Sequence, residues 1–136
     1  MSTQPPPAKL LTDEQVRHFI THGYLCFDAD MPGDYYTDLR RDLDAVLARN
    51  DGHEGNNVLP LVPQMQQVFE HPNVRGALGS LLGPGYVMHP HRYLHVNRDK
   101  KQWSWHQDQF CGAVRHIRSH RPWWVIFMFY PHRVTP

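Results

Sequence analysis

The chain is poor in cysteine, in net charge of either sign and in long apolar runs, and each shortage excludes a class of protein. Cys26 and Cys111 are its 2 cysteines, too few for the disulfide framework of a small secreted domain. Fourteen Lys and Arg face 13 Asp and Glu, for a formal net charge of +1. Nothing in that balance drives the whole chain toward nucleic acid or an anionic membrane surface. The longest apolar run, Trp123 to Tyr130, falls far short of the roughly 20 residues a membrane-spanning helix needs. No internal repeat is visible, and the first residues lack the charged-then-apolar plan of a signal peptide. With 136 residues the expectation is one soluble domain, or part of one, with a modest core, in a reducing, cytoplasmic setting and with neither a nucleic-acid nor a membrane partner.

What is present divides the chain into three stretches. Residues 1–9 carry three consecutive prolines among small polar residues and are expected to form a disordered leader. Thr12 then offers an N-cap with Gln15 at the third helical position, a capping box, and Leu11 and Val16 are spaced for a hydrophobic staple. The helix starting there has Val16, Phe19 and Ile20 as its apolar stripe and Gly23 as its stop. Tyr24 to Phe27 reads as a short strand. Tyr36, Leu39, Leu43, Val46 and Leu47 recur at helical spacing, which predicts a second helix from about Asp34 to Arg49 with a core-facing stripe. The glycines and asparagines of Asp51 to Asn57 predict a loop. Two short helices, Gln64 to Phe69 and Pro72 to Leu82, should break at His71-Pro72 and end at Gly83-Pro84-Gly85.

From Tyr86 the apolar period shifts toward two. Tyr86, Met88, Leu94 and Val96 share one face of an extended segment, and His89, His91, Tyr93, His95 and Asn97 the other. Histidines on a sheet face are commonly just solvated. His89, His91 and His95 are also of a type to gather zinc or copper, although ligands spaced along one strand diverge as it twists. Trp123 to Tyr130 is apolar on both alternating faces and reads as a central strand buried on both sides. Between them, Arg115, His116, Arg118, His120 and Arg121 form a basic loop, either a solvated face or an attractor for an anionic substrate.

The most informative triplet is His106-Gln107-Asp108. In extended backbone His106 and Asp108 point to the same side, so an imidazole and a carboxylate converge. Such a pair is often no more than a surface pair. With a second histidine from a distant segment it becomes the facial triad of two His and one carboxylate that holds non-haem Fe(II) and leaves positions open for chemistry.

Leu11-Thr12-Asp13-Glu14-Gln15, Phe19, Gly23-Tyr24-Leu25, Trp105-His106-Gln107-Asp108 and Phe129-Tyr130-Pro131-His132-Arg133-Val134-Thr135 together resemble the N-terminal portion of the phytanoyl-CoA dioxygenase family of Fe(II)- and 2-oxoglutarate-dependent oxygenases. The resemblance runs from about Leu10 to the end. It implies an α+β fold with a mainly β core, a double-stranded β-helix (a cupin-like jelly roll), behind a helical N-terminal region at about 12–82. The first core strands would fall at about 86–136, within one truncated domain spanning 10–136. It also implies hydroxylation of a small-molecule substrate with O2, with His106 and Asp108 as iron ligands and with Asn97 and Phe127 facing 2-oxoglutarate. The family's second iron histidine and the base that grips the cosubstrate's far carboxylate lie tens of residues past the motif, beyond Pro136, and His132 reads as structural or as a support to the ligands. The isolated chain would then lack activity. The rival expectation is a non-catalytic fragment or degenerate relative that serves as a binding module.

Overall fold

The computed structural model describes residues 6–49, 56–94 and 122–132. Where the sequence supplies its own punctuation, helices form at the expected places. Thr12 accepts the Gln15 amide on its hydroxyl at 3.2 Å, and the Gln15 side chain accepts the Thr12 amide at 2.9 Å. This closes the capping box that opens α1, Asp13–His22. Gly23 ends it with φ 79°, a left-handed turn that costs glycine little because it has no Cβ. No residue of α1 is buried, so this helix relies on its caps more than on packing.

Helix α2, Gly33–Arg49, contributes the buried side chains Tyr35, Leu39, Leu43, Val46 and Leu47. The expected stripe is present with one exchange: Tyr35 is buried and Tyr36 only half so. The turn into α2 is built by Asp28, whose carboxylate accepts the Asp30 amide at 2.8 Å and the Tyr36 hydroxyl at 3.2 Å. Asp30 there adopts a positive φ of 54°, a conformation Asp tolerates better than most residues.

A 3₁₀ turn, Pro63–Met65, runs into α3, Gln66–Glu70, and after His71 the chain forms α4, Pro72–Leu82. His71 is extended and its Nδ1 accepts the Asn73 amide, while Pro72 occupies the first helical turn. That combination explains the break: the residue before proline avoids helical dihedrals, and proline suits a helix start. Leu39, Val62, Val68 and Val74 are fully buried at the centre of this unit. The Tyr35 hydroxyl donates to the Gln64 carbonyl at 2.8 Å and the Gln64 amide donates to Asp42 at 2.6 Å, which tie α2 to the 3₁₀ turn.

Pro6 to Lys9, at the end of the leader, lie against α4. The Lys9 amide donates to the Pro72 carbonyl at 3.0 Å, Arg75 donates to the Pro6 carbonyl at 2.8 Å, and the Leu11 amide donates to Ser80 Oγ at 3.0 Å. Gly76 is what allows so close an approach, since a Cβ there would overlap the Lys9 carbonyl group.

The expected mainly β jelly roll is not what these residues form. Helix accounts for 49% of the described residues and strand for 2%, with no sheet. The one bridge among them pairs Asn57 with Arg92 in parallel, through Val58 amide to Arg92 carbonyl and Arg92 amide to Asn56 carbonyl, both 2.9 Å. Among the described residues Tyr24 to Phe27, 86–91 and 124–130 carry no ladder. The physical reason is that a helix closes its hydrogen bonds within itself, whereas a strand needs a neighbour, which apolar alternation alone does not supply. Trp123 to Tyr130 is likewise not buried on both sides. Trp123 (56%), Ile126 (55%), Met128 (65%) and Tyr130 (60%) are exposed, while Phe127 and Phe129 pack on the helical core. Among the described residues no helix is long and apolar enough to cross a membrane.

Candidate functional site

Of the expected site residues, His106, Asp108 and Asn97 lie outside the described residues, as do His95 and the basic loop. Phe127 is described, and its place follows from the alternation of its segment. Odd-numbered Phe127 and Phe129 turn inward while even-numbered Ile126, Met128 and Tyr130 turn outward, the period of two that extended backbone imposes. The Phe127 ring meets Phe69 of α3 edge-on at 5.8 Å, and Phe129 stacks on Tyr36 of α2 at 6.3 Å with 16° between planes. Both geometries are favoured by the ring quadrupole. Phe127 therefore acts here as a packing ring that fastens the 122–130 segment to the helices.

A second set of rings joins 86–94 to the same segment. His89 meets Trp124 edge-on at 5.2 Å, and His91 stacks on Tyr93 at 5.7 Å with 9° between planes. The His89 Nδ1 accepts the His91 amide at 3.1 Å, which commits that lone pair to the backbone. The two imidazole centroids are 6.4 Å apart. A shared tetrahedral metal, with bonds of ~2.0–2.1 Å, would bring the centroids to roughly 5 Å. As placed, His89 and His91 stand wider apart than that, and His95, the third member of the zinc or copper set, lies outside the described residues. Among the described residues no group of three or more His, Cys, Asp or Glu side chains is placed to hold a metal ion.

The electrostatics of the described part centre on two phenols of α2. Burial pushes the Tyr35 hydroxyl up to about 12, with a smaller contribution from Tyr36. Tyr36 is also raised, chiefly by desolvation and further by the Asp28 carboxylate, against the lowering effect of the hydrogen bond it accepts from the Met31 amide. Both remain neutral donors in neutral solution and serve as struts, not as acids.

A cleft of about 190 Å³ lies between the N-terminal segment, α1 and α4, lined by Lys9, Leu10, Leu11, Gln15, Phe27 and Asn73. It is smaller than the ~300–1,000 Å³ of typical small-molecule sites, and nothing in it is arranged for acid–base or nucleophilic chemistry.

Sequence reasoning missed the His89–Trp124 contact and the seat of Lys9 on Gly76. Neither leaves a periodic signal: the first joins residues far apart in the chain, and the second depends on a side chain that is not there. No protein-family model matches the chain, and neither a curated protein nor a solved structure matches it.

Proposed function

We propose that this chain is part of an Fe(II)- and 2-oxoglutarate-dependent oxygenase similar to the phytanoyl-CoA dioxygenases, acting on a small-molecule substrate with O2. The observation that carries the proposal is the spacing of His106 and Asp108, set between Trp105 and the apolar segment that ends in Phe129-Tyr130-Pro131-His132. The donor chemistry suits the ion. A neutral imidazole nitrogen and a carboxylate oxygen are two members of the donor set that Fe(II) accepts in a facial site, and Asp108 offsets part of the metal's charge. Two donors hold a metal less securely than three, and neither the third ligand nor the base that grips 2-oxoglutarate is assigned in this chain. When bound, iron and 2-oxoglutarate supply the oxidation of an unactivated C–H bond by O2, with succinate and CO2 released. In this proposal Asn97 offers its side-chain amide to the cosubstrate. Phe127 is the cosubstrate-facing ring that the resemblance implies, on a segment that its contact with Phe69 fastens to the helices. The exposed free thiol of Cys26 and the use of ferrous iron both suit a reducing, cytoplasmic compartment.

Anaerobic calorimetry of Fe(II) binding with and without 2-oxoglutarate tests the assignment. The expected result is one equivalent bound more tightly with the cosubstrate present, lost in both Asp108→Ala and His106→Ala, with succinate formation by the complete enzyme lost in the same variants. Binding that is the same in wild type and both variants would overturn it.

The second reading, a non-catalytic binding module, is favoured by the exposed row Trp123, Ile126, Met128 and Tyr130. Exposed apolar rows of this kind characterise interaction surfaces. Coupled 2-oxoglutarate turnover separates the two, because a binding module has none.

A further inference from the structure

His18 and His22 occupy one face of α1, four residues apart, where consecutive turns bring side chains together. Their ring centroids are 4.4 Å apart with 42° between planes. Tyr24, folded back by the left-handed turn at Gly23, sets its ring edge-on to His18 at 5.4 Å. Among the described residues neither imidazole has a hydrogen bond, its contacts being these rings. A tetrahedral ion bound at ~2.0–2.1 Å to one nitrogen of each ring places the centroids roughly 5 Å apart, so the pair opens by less than about 1 Å to close on it. His22 lies in the last turn of α1, where the helix dipole presents its negative end and favours a cation.

We propose that His18 and His22 form a surface chelate for a divalent late transition-metal ion such as Zn2+ or Cu2+, with water filling the remaining positions. Imidazole nitrogen selects these ions over Mg2+ and Ca2+, which require oxygen donors. The consequence concerns α1 itself. This helix has 10 residues, none buried, and helices of that length are marginal on their own. An ion that bridges its last two turns in the folded state and not in the unfolded one holds the helix closed. The site shares no residue with the proposed iron ligands and does not depend on them.

The test is amide hydrogen exchange across α1 in the full chain, with Zn2+ alone as the probe. At a free concentration ten times its dissociation constant, opening of α1 should slow by about elevenfold. The effect should be larger with Cu2+ at equal concentration, absent with Mg2+ and weakened by acid, since ligating imidazoles must be unprotonated. His18→Ala and His22→Ala should each abolish it. Alanine favours helix, so a lost response is not a lost helix, and circular dichroism of each variant verifies that. Tyr24→Phe and Asp108→Ala should both respond as wild type does. Unchanged exchange in wild type at millimolar Zn2+, or an equal response in His18→Ala and His22→Ala, overturns the proposal. Failure of the iron assignment would show instead in the Asp108→Ala iron titration, leaving this result untouched.

Discussion

Helices α2 to α4 and the non-helical segments 86–94 and 122–132 are both rich in apolar residues, yet they end in different physical situations. In the helical unit a stripe at helical spacing reaches a centre where Leu39, Val62, Val68 and Val74 are fully buried. In 122–130 an almost wholly apolar run leaves Trp123, Ile126, Met128 and Tyr130 exposed to water. The helices close their backbone hydrogen bonds within themselves and need a neighbour for one face alone. An extended segment needs neighbours at both edges as well, and here 122–130 has helices on one side and, among the described residues, no ladder. Hydrophobic content therefore does not settle which segments form a core; local closure of hydrogen bonds decides which can do so first.

The largest expected effect tests the helical side of this contrast. Leu39→Ala empties the centre of the core, and a fully buried leucine costs ~2–5 kcal/mol on truncation. Chemical denaturation of the full chain measures it. A loss below about 1 kcal/mol would mean that α2 does not carry the core. Gly76→Ala follows. Alanine is worth up to ~1 kcal/mol more than glycine in a helix interior, but at this position its methyl group would collide with the Lys9 carbonyl. The expected net result is a destabilisation of ~1–3 kcal/mol, as for other overpacked sites, with faster proteolysis after Lys9. A more stable Gly76→Ala protein would show that the N-terminal segment is not seated on α4.

Tyr35 provides a pH test of the same core. Its hydroxyl is held neutral by burial, so the folded chain keeps that proton up to about 12 while an unfolded tyrosine releases it near 10.0. For an acid whose value is raised by folding, stability is intact below the unfolded value and is lost as the pH rises through the folded one. Between pH 10 and 12 the protein should therefore lose on the order of 2 kcal/mol from this group. Tyr35→Phe should flatten that part of the profile while costing ~0.5–1.5 kcal/mol at neutral pH through the lost bond to Gln64. An alkaline profile identical in the variant would place the titration elsewhere.

Much of the helical unit was legible because its signals are local. Thr12 with Gln15, the glycine at 23, the stripe through Leu39 and Leu43, and His71-Pro72 each act within one or two turns, and each boundary follows from them. Tyr35 and Tyr36 were exchanged because adjacent residues lie at the margin of a stripe whose width the sequence leaves open. From Tyr86 onward the expectation fails for a different reason. Alternation shows which side chains would share a face if a sheet existed, but the sheet itself is a contact between segments distant in the chain. Phe127 illustrates the gap: the period puts Phe127 and Phe129 on one face, but which face turns inward, and that Phe69 is the partner, depend on contacts between distant segments. The candidate metal pair rests on the same period of two, applied to residues outside those described.

The smallest expected effect bears most directly on the exposed row. Met128 is 65% exposed, its sulfur touching the Tyr130 hydroxyl at 3.5 Å, whereas its neighbour Phe129 is half-buried on Tyr36. If the outer face of 122–130 is open to water in solution, Met128→Ser removes little buried area and should change stability by no more than ~0.5 kcal/mol. Phe129→Ala should then cost several times as much, by losing a packed ring. The ratio is informative because the two residues share a backbone, so a general loosening of the segment affects both alike. A Met128→Ser cost above about 1 kcal/mol would show that this face is covered in solution, and the contrast between a finished helical core and a half-covered extended segment would fail. A negligible cost with reduced self-association at high concentration would sharpen it, since an exposed apolar edge without a ladder is where chains of this kind adhere.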